Sequence, residues 1–191
     1  MTSVGQPIPA VDGWDKVTGA TPYTVHFELP GMVHGKVLRS AVPHGRLVRV
    51  DASRALRLPG VLGVLTGADL ARWKNPHFGA VIRDQPIVAI DRVRFVGDPV
   101  AVVAALTPAI AEEALALIDV RYAELPPVFD AREAMRPGAP TVHEALTRST
   151  AIFDPGQVPE AGGANICGHF RLRTGDVARA WEEADHVFEL V

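Results

Sequence analysis

The chain has 191 residues, 48% of them hydrophobic and 21% charged, which is enough apolar material for the core of one globular domain with an appendage. Its formal net charge is −3 and its arginines are scattered, so no basic face is available to neutralise phosphates, and nucleic acid is excluded as a natural partner. No apolar run approaches the ~20 residues that span a bilayer, the amino terminus lacks a signal-peptide pattern, and the single cysteine, Cys167, supports neither a disulfide framework nor a thiolate cluster; a cytoplasmic chain without membrane insertion is expected.

Residues 1–21 are polar and rich in Gly and Pro, which predicts an extended arm that orders only by packing against something else. Residues 22–146 follow as the main unit. Short apolar stretches, alternating or β-branched and separated by turn residues, predict strands at 23–29, 34–40, 46–51, 61–66, 93–96, 99–106 and 118–125. Between the last two, Thr107 is placed to cap a helix that Pro108 opens. Ile110, Ala111, Ala114, Leu115 and Ile118 share one face of that helix while Glu112 and Glu113 point away, so it should lie against a sheet. Shorter helices are predicted at 53–58, closed by Pro59-Gly60, and at 68–73. The fold class is therefore α/β or α+β, with a mixed, largely β core and a few packed helices.

Residues 147–164 have the Pro, Gly and small-residue content of a linker. Beyond it, residues 165–191 predict a strand at 169–173, a turn at Thr174-Gly175, a helix capped near Asp176, and the opening of a strand at 187–191. A strand, a helix and part of a strand bury too little to fold alone, so the sheet that receives them is expected on another polypeptide.

Residues with chemical potential are few, and each has a structural reading. Gly97-Asp98-Pro99 suits a ligand loop, but glycine's φ freedom and proline's fixed bend suit a tight strand-to-strand turn better. Gly60, Gly63 and Gly67 lack the spacing of a dinucleotide loop, and Gly63 falls inside a strand pattern. His34 and His44 flank a strand and could meet across a hairpin as metal ligands, although surface or hydrogen-bonded histidines are commoner. His143-Glu144 looks like an acid/base pair, yet adjacent helix positions do not face each other. Cys167 and His169 share a strand face at ~7 Å, too far for nucleophile and base unless the strand bends. Asp84, Asp91 and Asp98 recur at seven-residue spacing outside any helix pattern, so no carboxylate pair follows. No catalytic, cofactor-binding or metal residue is assigned.

Taken in order, the motifs D-G-x-x-K-V-T-G, P-G-M-x-H-G, L-R-S, P-G-V-x-x-V, R-F-V-G-D-P-V-A and Y-x-x-L-P-P-V resemble the α/β hammerhead domain that opens the large subunit of molybdenum hydroxylases, the xanthine dehydrogenase, aldehyde oxidase and carbon monoxide dehydrogenase family. The resemblance extends through "ANICGHFRLRTGDVARAWEEADHVFE", which is similar to the start of the family's molybdopterin-binding region. It departs at "SAVPHG", where the family carries a second proline and an alanine, a difference confined to the turn around Pro43. The resemblance implies that the family's molybdopterin contacts, its metal-adjacent glutamine and its catalytic glutamate lie beyond these residues. The cofactors it implies for the complex are molybdopterin (cytosine dinucleotide), iron–sulfur clusters and FAD, none bound by this chain.

Three functions compete on this reading. A non-catalytic hammerhead subunit or fragment would support a molybdopterin-binding catalytic subunit, with iron–sulfur and FAD subunits beside it. A stand-alone interaction or assembly module would have no enzymatic role. An enzyme with its own site would use His34, His44 and Gly97-Asp98. The strand opening at 187–191 favours the first.

Overall fold

A computed structural model of the chain describes residues 4–79, 83–143, 165–166, 172 and 174–188. Its strands are β1 (His34–Arg39), β2 (Gly45–Asp51), β3 (Val61–Thr66), β4 (His77–Phe78), β5 (Gln85–Pro86), β6 (Arg92–Val93), β7 (Pro99–Ala105) and β8 (Asp119–Glu124). Its helices are α1 (Gly13–Thr18), α2 (Gly67–Leu70), α3 (Pro108–Ala116), α4 (Ala131–Ala134) and α5 (Val177–Glu183). Two antiparallel sheets, ordered β1-β7-β3 and β6-β2-β8, carry the core, and β4 pairs with β5 in a separate ribbon.

β7 reads as a continuous run of small and β-branched residues because both of its faces are covered. Ala101, Val103 and Ala105 pack under α3 against Ala111 and Ala114, whose small side chains let helix and sheet approach closely, and Ile118 beyond the helix completes the cluster. Val100, on the opposite face, joins Ala89 and Val93 and meets Leu47, Val120 and Tyr122 of the second sheet. The helix starts where the sequence places it: Pro108 occupies the first turn and the Ile110 amide donates to Thr107 Oγ1 at 3.2 Å. Leu115 packs at the edge of this core, so Leu115→Ala is expected to cost about 2 kcal/mol in urea denaturation. A loss below about 0.5 kcal/mol would mean that α3 does not support the sheet.

Several predicted elements are shorter or absent. Residues 23–29 form no strand but a 3-10 turn, Thr24–His26, and Tyr23, Val25, Phe27 and Leu29 are exposed: alternation makes a strand only where a neighbour completes the ladder. The strand expected at 93–96 ends at Val93, because the Asp98 carboxylate accepts the Arg94 amide at 2.9 Å and draws the backbone into a turn. The helices expected at 53–58 and 68–73 reduce to a 3-10 turn, Ala55–Arg57, and to α2. The arm is not wholly extended: α1 forms within it and ends on Gly19 in the left-handed conformation, yet buries no residue.

α4 went unforeseen, although Asp130 caps it by accepting the Arg132 and Glu133 amides at 2.9 and 2.8 Å. α5 appears where the cap near Asp176 predicts it, with the Arg179 amide donating to Asp176 Oδ1 at 3.1 Å. Val187 and Phe188 carry no strand and are exposed, while residues 189–191 lie outside the described residues, as does the strand predicted at 169–173 apart from Leu172. Among the described residues no helix is long and apolar enough to cross a membrane.

Candidate functional site

Gly97-Asp98-Pro99 forms the turn into β7, with Gly97 at φ +95°, a conformation that a Cβ disfavours. This turn is locked to the end of β1. The Gly97 amide donates to the Ser40 carbonyl at 2.8 Å, the Ser40 amide donates to the Asp98 carbonyl at 2.9 Å, and Arg39 Nη1 donates to the Gly97 carbonyl at 2.9 Å. L-R-S and G-D-P, two motifs that look independent in the sequence, are thus two halves of one backbone junction.

Beside the junction lies a cavity of about 290 Å³. Its polar wall is Arg39, Arg94, Asp84, Asp98 and His143; Phe78 and Phe95, both half-exposed, stand among its apolar lining. The wall is gathered from several segments: Arg39 closes β1, Asp84 precedes β5, and Arg94 and Asp98 share the turn between β6 and β7. His143 is carried in by the Val142 carbonyl, which accepts Arg94 Nε at 3.0 Å. Its Nε2 then sits 3.6 Å from Asp84 Oδ2.

Burial pushes the Asp98 carboxyl above its ordinary range, against the pull of the Arg94 amide and guanidinium. A carboxyl raised in the folded state takes up its proton before the unfolded chain does, so the folded chain gains stability as pH falls from that raised value toward the ordinary 3.8. Asp98→Asn keeps an acceptor for the Arg94 amide and removes the buried charge, whereas Asp98→Ala strands that amide at about 1 to 3 kcal/mol. Thermal melts at pH 7 should therefore rank asparagine above alanine, and the asparagine variant should lose the acid-side gain. The reverse ranking would show that the charge itself holds the turn.

The opposite sign holds at His143. Burial, assisted by Arg94 and opposed by Asp84, pushes its imidazole below 6.5. As pH falls through 6.5 the unfolded chain takes up a proton that the folded site resists, so the fold loses stability there, a loss that Asp84 partly offsets because it favours the imidazolium.

The remaining predicted positions separate. His34 and His44 do not meet across a hairpin, because β1 and β2 belong to different sheets: His34 lies opposite Ala105, while His44 is buried with Nδ1 2.8 Å from the Pro126 carbonyl. Gly63 is a strand residue beside a bulge, and Gly60 takes φ +90° at a turn; neither opens a nucleotide loop. Asp84 and Asp98 share the cavity, but Asp91 stands apart, its carbonyl accepting the Leu47 amide at 2.9 Å. Glu144, Cys167 and His169 lie outside the described residues. Among the described residues no three His, Cys, Asp or Glu side chains converge as metal ligands.

The sequence reading missed Asn165. Its Oδ1 accepts the Val142 amide at 2.9 Å, and its Nδ2 donates to the Ala134 and Pro140 carbonyls at 3.0 and 2.9 Å. An asparagine just after the Gly162-Gly163-Ala164 stretch reads as a turn residue, and nothing local points to partners more than twenty residues away.

The model for "Aldehyde oxidase and xanthine dehydrogenase, a/b hammerhead domain" matches residues 18–126. The chain is 40% identical to a probable xanthine dehydrogenase subunit of Bacillus subtilis over 93% of its own length and 21% of that protein's. It is 35% identical to the nicotinate dehydrogenase large molybdopterin subunit of Eubacterium barkeri, over 94% of this chain and 37% of that one. Among solved structures, a Cu,Mo-CO dehydrogenase in its carbon monoxide reduced state superposes with a TM-score of 0.70 at 31% identity, covering 95% of this chain and 23% of that one. The chain thus spans a fifth to little more than a third of these relatives.

Proposed function

Since the chain belongs to the aldehyde oxidase and xanthine dehydrogenase family through its a/b hammerhead domain, we propose that it is the non-catalytic hammerhead part of a cytoplasmic molybdenum hydroxylase. It supports a molybdopterin-binding catalytic subunit that hydroxylates a substrate carbon with water-derived oxygen or oxidises carbon monoxide. Molybdopterin, as the cytosine dinucleotide, belongs to that subunit, and iron–sulfur clusters and FAD to further subunits. We assign residues 1–21 to a docking arm, 22–146 to the hammerhead domain, 147–164 to a linker and 165–191 to the opening of the molybdopterin-binding region.

The observation that carries this reading is the apolar surface left open at the amino end. Large side chains from Val4 to Val33 stand exposed, Trp14 at 77% and Phe27 at 58%. Continuous exposure of this kind marks a surface built to be covered. The cavity offers a metal little, since two arginines stand among its few polar side chains, Asp84 and Asp98 are engaged by His143 and the Arg94 amide, and among the described residues no three ligands converge.

The purified chain should therefore hold no stoichiometric molybdenum by elemental analysis and oxidise no aldehyde, purine or carbon monoxide. Expressed in its host, it should copurify with a molybdopterin-binding polypeptide that does both. Stoichiometric metal on the single chain would overturn the assignment, and a stable chain that retains no such polypeptide would favour the stand-alone module.

A further inference from the structure

We propose that the cavity beside Gly97 is a socket for an acidic side chain of the molybdopterin-binding subunit, received by the free edge of the Arg39 guanidinium. This rests on the assembly proposed above and names the contact that makes it specific. Arg39 spends only Nη1 within the chain, on the Gly97 carbonyl, and among the described residues nothing is bonded to Nε or Nη2. Those two nitrogens form the side-on fork that takes a carboxylate through two parallel hydrogen bonds. The bond to Gly97, held by the left-handed turn and by the Ser40 amide and carbonyl, fixes the fork before any partner arrives.

The charge around the cavity points the same way. Both carboxylates of the wall are already engaged, Asp84 facing His143 at 3.6 Å and Asp98 accepting the Arg94 amide at 2.9 Å, whereas the Arg39 fork, among the described residues, is not. The surroundings supply the apolar frame of a protein contact: Phe78, Phe95 and Val96 are 54%, 47% and 63% exposed. A polar anchor inside an exposed apolar rim is how energetic centres of interfaces are built. A free small anion would leave that rim uncovered, which is why a protein carboxylate is the occupant the surface fits.

The test uses the tagged full chain, co-expressed in its host with the molybdopterin-binding polypeptide, with retention scored by mass spectrometry and molybdenum content. Arg39→Glu should abolish retention, and Arg39→Lys, which keeps the charge but loses the fork, should weaken it about tenfold. Arg39→Lys, which keeps a donor within reach of the Gly97 carbonyl, should melt close to wild type; Arg39→Glu loses that bond, so its retention is scored below its own melting temperature, and Arg121→Ala on the other sheet should change nothing. A zero-length carbodiimide treatment of the Arg39→Lys complex should join position 39 to an aspartate or glutamate of the retained polypeptide. Undiminished retention of Arg39→Glu, or a retained Arg39→Lys complex without that cross-link, overturns the socket while the assembly stands. A wild-type chain that retains no molybdopterin-binding polypeptide overturns the assembly itself, and the socket with it.

Discussion

Gly67→Ala should cost about 3 to 5 kcal/mol, enough to remove most of the stability of a domain this size. Gly67 opens α2, directly under the segment that carries Val88 and Ala89 into the core. A Cβ there would lie 2.7 Å from Ile90 Cα and closer still to the Ala89 carbonyl oxygen. Both obstacles are backbone, so no side-chain rotation relieves them. Neither wall can retreat. Asp69 Oδ2 accepts the Thr66 amide and hydroxyl at 2.8 and 2.9 Å, fixing the helix start. The Ala89 amide donates to the Pro99 carbonyl at 2.7 Å, fixing the crossing segment to β7. Gly63→Ala is the matched control: a Cβ at Gly63 meets nothing within 4 Å, and the same substitution should be tolerated in thermal melts. Equal melting of the two variants would show that the two segments do not cross at Gly67.

Asn165→Ala should cost about 2 to 3 kcal/mol, felt around Ala134, Pro140 and Val142 and not across the sheets. One side chain satisfies the Val142 amide and the Ala134 and Pro140 carbonyls, and alanine leaves all three without that partner. The loss should spread through Val142 to Arg94, whose Nε holds the neighbouring carbonyl, and so to His143 at the cavity wall. Hydrogen exchange should quicken at Val142 and around α4 while β7 stays protected. Protection unchanged at Val142 would show that Asn165 is not the clamp, and loss of protection in β7 would make it part of the global core.

The pairing of Val142 with Asn165 also bears on how the proposed units connect. Val142 and Asn165, which flank the proposed linker in the sequence, are joined by a hydrogen bond of 2.9 Å.

Much of the fold was legible because its causes are local. α3 was readable from an N-cap threonine, a proline in the first turn and an apolar face at helical spacing, all within a dozen residues. β1, β2, β3, β7 and β8 were readable from β-branched or alternating stretches between turn residues, and the turn at Gly97-Asp98-Pro99 from glycine and proline alone. The family motifs were legible for the same reason, since each is a short local pattern.

Tertiary structure decided the rest. Residues 23–29 alternate as well as any strand here, yet they lack a ladder, and backbone donors and acceptors form a strand only when another segment supplies their partners. The assignment of β1 and β2 to different sheets, which parts His34 from His44, depends on which strands β7 and β8 pair with, and sequence periodicity is silent on pairing. The cavity is set by Arg39, Asp84, His143 and the Arg94–Asp98 turn converging from segments far apart in the chain, and Asn165 reaches back across more than twenty residues. Sequence by itself determined the elements governed by neighbouring residues; the strand order, the socket and the clamp were decided by contacts between residues far apart in the chain, whose free energy exists only once the chain has folded around them.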